Sequence, residues 1–236
     1  LAGAAVNNSG VIQARGVQER DGAVYLLADA GNIALESTSR IDVSGDRGGG
    51  KVLVGGNFHG VGPEFNAAKV HVAAGSTINA DAIVSGKGGQ VAVWSDNNTV
   101  FQGGISARGG SQGGDGGLVE VSGRDHLAFA GTVDTRAPQG KTGTLLLDPA
   151  DITISTAADS DITAATTFSD LTDNGGVSNL NVTTLQTALG TSDVTVSTGT
   201  TSGANAGTIT VNDGVTWATA STLTLSANNQ IAINAA

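Results

Sequence analysis

The chain has 236 residues, a formal net charge of −10 and a sequence pI near 4.4. Its 11 basic residues against 21 acidic ones exclude nucleic acid as a partner, because that binding depends on Lys and Arg neutralising phosphates. With 36 Gly, 3 Pro, 3% aromatic residues and neither Cys nor Met, a core of large converging side chains is excluded as well, and the evenly spread Val, Ile, Leu and Ala suit an elongated core of small aliphatics stacked in rows.

No run approaches the roughly 18 consecutive apolar residues of a membrane span, and no basic start with an apolar centre marks a signal peptide. The chain opens on Leu1-Ala-Gly and closes on Asn234-Ala-Ala, so it reads as a piece of a longer protein whose export signal lay upstream. Lack of Cys is compatible with secretion.

In chain order, Gly22-Ala-Val24-Tyr-Leu26 is a turn followed by a period-two strand. The pattern returns at Gly50-Lys-Val52-Leu-Val54, Gly89-Gln-Val91-Ala-Val93, Gly117-Leu-Val119-Glu-Val121, Gly143-Thr-Leu145-Leu-Leu147 and Gly207-Thr-Ile209-Thr-Val211. Aliphatics one residue apart share a face, which predicts that Val24, Val52, Val91, Val119 and Leu145 point inward and stack along one parallel sheet. Further alternating pieces lie between the anchors: Ile33-Ala-Leu35 with Ile41-Asp-Val43, Val70-His-Val72 with Ile78-Asn-Ala80, and Leu127-Ala-Phe129 with Val133-Asp-Thr135. That makes about three short strands per coil, with Gly, Asn, Asp and Ser at corners that need positive φ or side-chain-to-backbone bonds.

Two stretches interrupt the alternation. Residues 56–66 read as a loop projecting from a corner, and residues 156–192 are rich in Thr, Ala, Asp and Ser. Within the second, Thr183 to Gly190 has Leu185 and Leu189 four apart, a Thr start and a Gly stop, which predicts one short helix against the side of the stack. A boundary near Pro149 separates a Gly-rich segment, 1–149, from a Thr-rich segment, 150–236, that carries the insertion near 156–192. The predicted fold class is all-β: a right-handed parallel β-helix, or β-solenoid, with loop insertions and one short helix. A β-sandwich array is the alternative, and six recurrences at irregular distances fit coils with insertions better. Both termini fall inside strand patterns without polar caps, which predicts open edges that continue into further coils or stack on copies of the chain.

Four stretches carry a family likeness: Val6-Asn-Asn-Ser-Gly-Val-Ile-Gln-Ala-Arg-Gly16, Gly88-Gly-Gln-Val-Ala-Val-Trp-Ser95, Lys141-Thr-Gly-Thr-Leu-Leu-Leu-Asp-Pro149, and Ile209-Thr-Val211 with Trp217 and Leu223-Thr-Leu-Ser-Ala227. In these the chain resembles the filamentous-haemagglutinin exoproteins exported by two-partner secretion, in the part that follows their secretion domain. The resemblance implies passage through an outer-membrane partner pore as an unfolded chain, folding outside, and a scaffold and adhesive shaft without catalytic residues. A disulfide formed before that passage would lock a loop that has to thread the pore, so the absence of Cys is consistent with the route.

Motifs that look chemical have simpler readings. Thr135 to Thr142 ends like a phosphate loop, but it lacks the first Gly and runs into a strand where a helix N-terminus is required. Gly109-Gly-Ser111-Gln-Gly113 matches a nucleophile elbow only in letters, inside a Gly-rich corner. Gly113 to Leu118 is an imperfect single copy of a calcium nonapeptide, with Leu118 where the ligand Asp belongs, which leaves only weak calcium binding at other acidic corners open. His59, His71 and His126 are too scattered for a metal motif, and His71, between Val70 and Val72, is expected to face outward. Asp42, Glu120 and Asp134 are predicted on outward strand faces. There they either provide solubility or form the paired carboxylates of a polysaccharide-processing enzyme, a chemistry that β-helices host in lateral grooves. Trp94 and Trp217 are read as structural.

No catalytic, cofactor or metal residue is therefore assigned. The functional expectation is a segment of an exported surface adhesin or extracellular filament, at the cell surface or released, that meets a host surface or an extracellular polysaccharide. A polysaccharide-processing enzyme and a passive spacer with a binding tip elsewhere are the alternatives.

Overall fold

A computed structural model describes residues 5–13, 22–159, 177–199 and 206–235. The chain advances in circuits of three short strands. The first is β1 (Ala5–Asn8), β2 (Val11–Gln13) and β3 (Ala23–Leu26), and the second is β4 (Asn32–Leu35), β5 (Arg40–Asp42) and β6 (Lys51–Val54). The third is β7 (Lys69–Val72), β8 (Thr77–Asn79) and β9 (Gln90–Ser95), and the fourth is β10 (Asn98–Phe101), β11 (Gly104–Ser106) and β12 (Leu118–Gly123). The fifth is β13 (His126–Phe129), β14 (Thr132–Asp134) and β15 (Thr144–Leu147). Strands with the same place in each circuit pair with one another, so three parallel sheets are built in rotation.

Register follows the sequence pattern. Val24, Val52, Val91, Val119 and Leu145 form one row of the third sheet, which Val194 and Leu223 continue. Ile41, Ile78, Ile105 and Val133 form the matching row of the second sheet. In the first sheet Val72, Phe101 and Phe129 are in register, and the two Phe rings stack with centroids 5.6 Å apart. The inward rows of all three sheets meet in one hydrophobic cluster.

The repeated glycine has a reason other than positive φ. A Cβ on Gly50, Gly89, Gly117 or Gly143 would lie 2.1 Å from the carbonyl oxygen of the anchor glycine one circuit earlier. The same carbonyls accept hydrogen bonds from Lys51, Gln90, Leu118 and Thr144, at 2.8 to 3.1 Å. The anchors therefore mark a corner where stacked backbones touch, and only hydrogen fits between them. The sixth anchor, not among the five expected to share that row, lies elsewhere: Ile209 pairs with Ile152 and Ile231 in a different sheet.

After β15 the order changes. The chain forms β16 (Ile152–Ser155), β17 (Ser178–Asn181), α1 (Val182–Leu189), β18 (Asp193–Thr198), β19 (Thr208–Val211), β20 (Leu223–Ala227) and β21 (Gln230–Ile233). The third sheet crosses position 149 without a break, through β15, β18 and β20. A fourth parallel sheet has the order β17-β16-β19-β21, and β17 sits beside β13, where the Leu127 amide donates to Ser178 Oγ at 3.0 Å.

The predicted helix exists, but its place differs from the expectation. It does not lie against the side of the stack. It occupies the second-sheet position of its circuit, with Leu185 and Leu189 fully buried in the shared cluster. Its start is Asn181, whose side chain accepts from the Thr183 amide at 2.8 Å. Thr191, just beyond the helix, donates its hydroxyl to the Val133 carbonyl at 2.6 Å and accepts from the Thr135 amide at 3.1 Å. Of the expected 156–192 insertion, residues 177–192 are thus woven into the stack, and residues 160–176 lie outside the described residues.

Two stability predictions follow from this packing. Val91→Asp should lower the unfolding free energy by at least about 4 kcal/mol in urea titration, because an ionised carboxylate enters a dry row, whereas Gln90→Asp, on the exposed neighbour, should be nearly silent. Gly89→Ala should cost about 1–3 kcal/mol through corner overpacking, and Gly104→Ala, whose Cβ would meet nothing closer than Thr132 Oγ1 at 3.4 Å, should cost less.

Candidate functional site

The parity that points Val91 and Val119 inward turns their neighbours outward. Tyr25, Leu53, Ala92, Glu120, Leu146 and Thr195 form that outer row of the third sheet. Its centre is not exposed. Leu53, Ala92 and Glu120 have no accessible surface, while Tyr25 at the end of the row is half exposed.

The cover is the 56–66 insertion, which folds back over the sheet instead of projecting from the corner. The Ala67 amide closes it on the Gly55 carbonyl at 2.6 Å, Asn57 Nδ2 donates to Glu64 Oε2 at 2.9 Å, and Asn66 Nδ2 donates to the Gly60 carbonyl at 3.0 Å and to Asp96 Oδ1 at 3.1 Å. Beneath lies Trp94, 5% exposed, with its indole N–H 3.4 Å from Asp96 Oδ1. Gly60 has φ +62, and a Cβ there would fall 2.4 Å from the indole ring, so both backbone and space require glycine. Trp94 is thus structural, as expected.

His59 enters from this cover with φ 56, a left-handed conformation that is uncommon outside glycine. Its amide donates to both Glu120 oxygens, at 2.9 and 3.2 Å, and its Nδ1 lies 3.5 Å from Asp148 Oδ2. Asp148 follows β15 and is 6% exposed; its Oδ1 is buried without a hydrogen-bond partner. Burial raises the pKa of Glu120, and the Asp148 charge adds to the rise, against the His59 amide, the His59 charge and the nearby Ser122 hydroxyl. One potential ligand atom from each of His59, Glu120 and Asp148 lies within 4.8 Å of the others.

Sequence reading placed Glu120 on an outward face, and there it is, but covered rather than solvating. It missed Asp148 and treated His59 as isolated. The available signal was the apolar outer face made by Leu53, Ala92, Trp94 and Leu146, which an uncovered sheet would not carry. Glu120 has no surface that a sugar ring could reach under the cover.

The other two outward carboxylates lie on the second sheet. Asp42 accepts from the Ser44 amide and hydroxyl, at 3.0 and 2.6 Å. Asp134 is gripped by Arg136 Nε and Nη2, at 2.9 and 2.6 Å, with Arg108 3.7 Å away. Burial raises the Asp134 pKa, but Arg136 and Arg108 outweigh it and the net shift is downward. Asp134 borders a groove of about 470 Å³ that also has Asn79, Asp81, Ser106, Thr187 and Thr191 in its walls.

The remaining histidines stay apart from the cluster. His71 takes the outer parity expected of it yet is 7% exposed, and His126 Nδ1 lies 3.4 Å from Ser178 Oγ. Ser111 of the elbow-like corner donates to the Ile83 carbonyl at 3.0 Å, and Trp217 Nε1 donates to the Ser221 carbonyl at 2.8 Å.

Gly60→Ala should lift the cover from Trp94. In a Trp217→Phe background the single remaining indole should then shift its emission to the red, with the far-ultraviolet circular dichroism unchanged; an unshifted spectrum means that the cover tolerates the methyl group. No family model matches the chain, and no curated protein matches it in sequence.

Proposed function

We propose that this chain is a segment of an exported bacterial surface adhesin or extracellular filament protein, built as a right-handed parallel β-helix that serves as a structural and adhesive scaffold without catalysis. The observation that carries this reading is the dealing of successive strands to three parallel sheets in strict register, with one aliphatic row running from Val24 to Leu223. A stack of this kind separates a repetitive inner core from outer positions that are free to vary, as an extended binding surface requires. The likeness to filamentous-haemagglutinin exoproteins adds export through an outer-membrane partner and display at the cell surface or release.

The surface best suited to a host glycan or an extracellular polysaccharide is the second-sheet groove, where Asn79, Ser106, Asp134 and Thr187 offer hydroxyl, amide and carboxylate groups. A passive spacer is the second reading. It is favoured by the 56–66 insertion, whose folding onto the third sheet removes a projecting loop from the surfaces available for binding.

Immobilised chain should retain extracellular polysaccharide or host-cell surface material in flow, and Ser106→Tyr, which fills the groove from an outward position, should abolish that retention without changing the melting temperature. Retention that survives the substitution moves the contact elsewhere, and no retention by the unmodified chain favours the spacer.

A further inference from the structure

We propose that His59, Glu120 and Asp148 form a binding site for one divalent transition-metal cation of the zinc class, which pins the 56–66 insertion to the third sheet. The inference does not rest on the adhesin reading.

The chemistry begins with charge. Two carboxylates are buried side by side, Glu120 with no exposed surface and Asp148 with 6%. Among the described residues no Lys or Arg forms an ion pair with either, and His59 is the only cationic candidate. Even a protonated imidazole leaves the group with an uncompensated negative charge when both acids are ionised, and buried charge without a partner is costly. Asp148 Oδ1 supplies an independent sign, since it is buried with no hydrogen-bond partner while its sibling Oδ2 faces His59.

A divalent cation answers both features. It neutralises two carboxylates and gives Asp148, one of whose oxygens is otherwise unpartnered, a group to bind, with His59 Nδ1 as the third donor. One imidazole nitrogen with two carboxylate oxygens suits zinc, whose open sites have three protein ligands and a water, better than the all-oxygen shells of calcium or magnesium. Bonds of about 2.1 Å in tetrahedral geometry place ligands about 3.4 Å apart, against the present 4.8 Å envelope. The His59 Nδ1 to Asp148 Oδ2 spacing is already 3.5 Å, and the His59 side chain is 59% exposed on the insertion, so a cation has only to draw the remaining ligand atoms together. Glu120 lies on β12 and Asp148 directly follows the neighbouring strand β15, so two of the three ligands are placed by the sheet and the third by the insertion.

The test uses the full chain stripped with chelator at neutral pH. Calorimetric titration with zinc chloride should show one equivalent bound, a higher melting temperature and, in the Trp217→Phe background, a blue shift of Trp94 emission as the cover tightens. His59→Ala should keep the circular dichroism spectrum, because that side chain is exposed, and weaken zinc binding at least about tenfold. Asp148→Asn should do the same. The proposal is overturned if zinc does not bind, if binding is undiminished in His59→Ala, or if calcium binds as tightly as zinc, which would remove the imidazole from the site.

Discussion

At the corner before each third-sheet strand, successive backbones approach until a β-carbon has no room. Gly50, Gly89, Gly117 and Gly143 each face the carbonyl of the preceding anchor at a distance that only hydrogen tolerates, and the next amide along donates to that same carbonyl. The contact fixes register as well as spacing. In a strand a slip of one residue turns every side chain to the other face, so the corner decides that Val91 and Val119 look inward and that Ala92 and Glu120 look out. Val93, Val121 and Leu147 follow with the inner set, and the shared cluster is the result.

The outer face carries the second consequence. Leu53, Ala92, Trp94 and Leu146 make it apolar over its central strands, and an apolar sheet face is stable only when covered. The cover arises from the link between β6 and β7, which leaves the third sheet beside the very strands it returns to shield. Its left-handed His59 and Gly60 let the backbone turn down onto Trp94 and aim an amide at Glu120. Burying a carboxylate there opposes folding, and the two hydrogen bonds from His59 offset part of that. The geometry is therefore a compromise between hiding apolar surface and satisfying acids, which is the setting in which a bound cation contributes most.

Much of this was legible in the residues and some was not, for physical reasons. Five anchors predict their row because small aliphatics at period two carry parity directly. The sixth, Gly207, has the same local letters but another role: its φ is +81, and its Cβ would meet Asn228 rather than a stacked carbonyl. Local pattern encodes a turn and a strand, not which sheet receives them. Likewise the spacing of Leu185 and Leu189 marks a helix, while its seat in the circuit comes from Thr191 and the edge of β14, 58 residues earlier in the chain. The insertion looked like a loop by composition. Its downward fold was written in the residues it covers, and the Asp148 that completes the acidic pair lay in a stretch, Leu145 to Pro149, that reads first as strand and stop.

The helix also explains where the groove is. From β2 to β14 the second sheet grows strand by strand, and a bare edge there would present unpaired carbonyls and amides. Thr191 and Ser192 meet that edge instead, with both hydroxyls toward the Val133 carbonyl and the Thr191 carbonyl toward the Thr135 amide. Among the described residues the second sheet ends at β14, while the third runs on through β18 and β20. A helix is thicker than a strand and stands off a sheet by its side chains, so the outer surface steps at this point, and Thr187, Ala188 and Thr191 become one wall of a groove whose floor is β8, β11 and β14. Closing one sheet while its neighbour continues thus both protects an edge and opens a recess, mostly apolar in surface, that carries Asn79, Ser106, Asp134 and Thr187 in its walls.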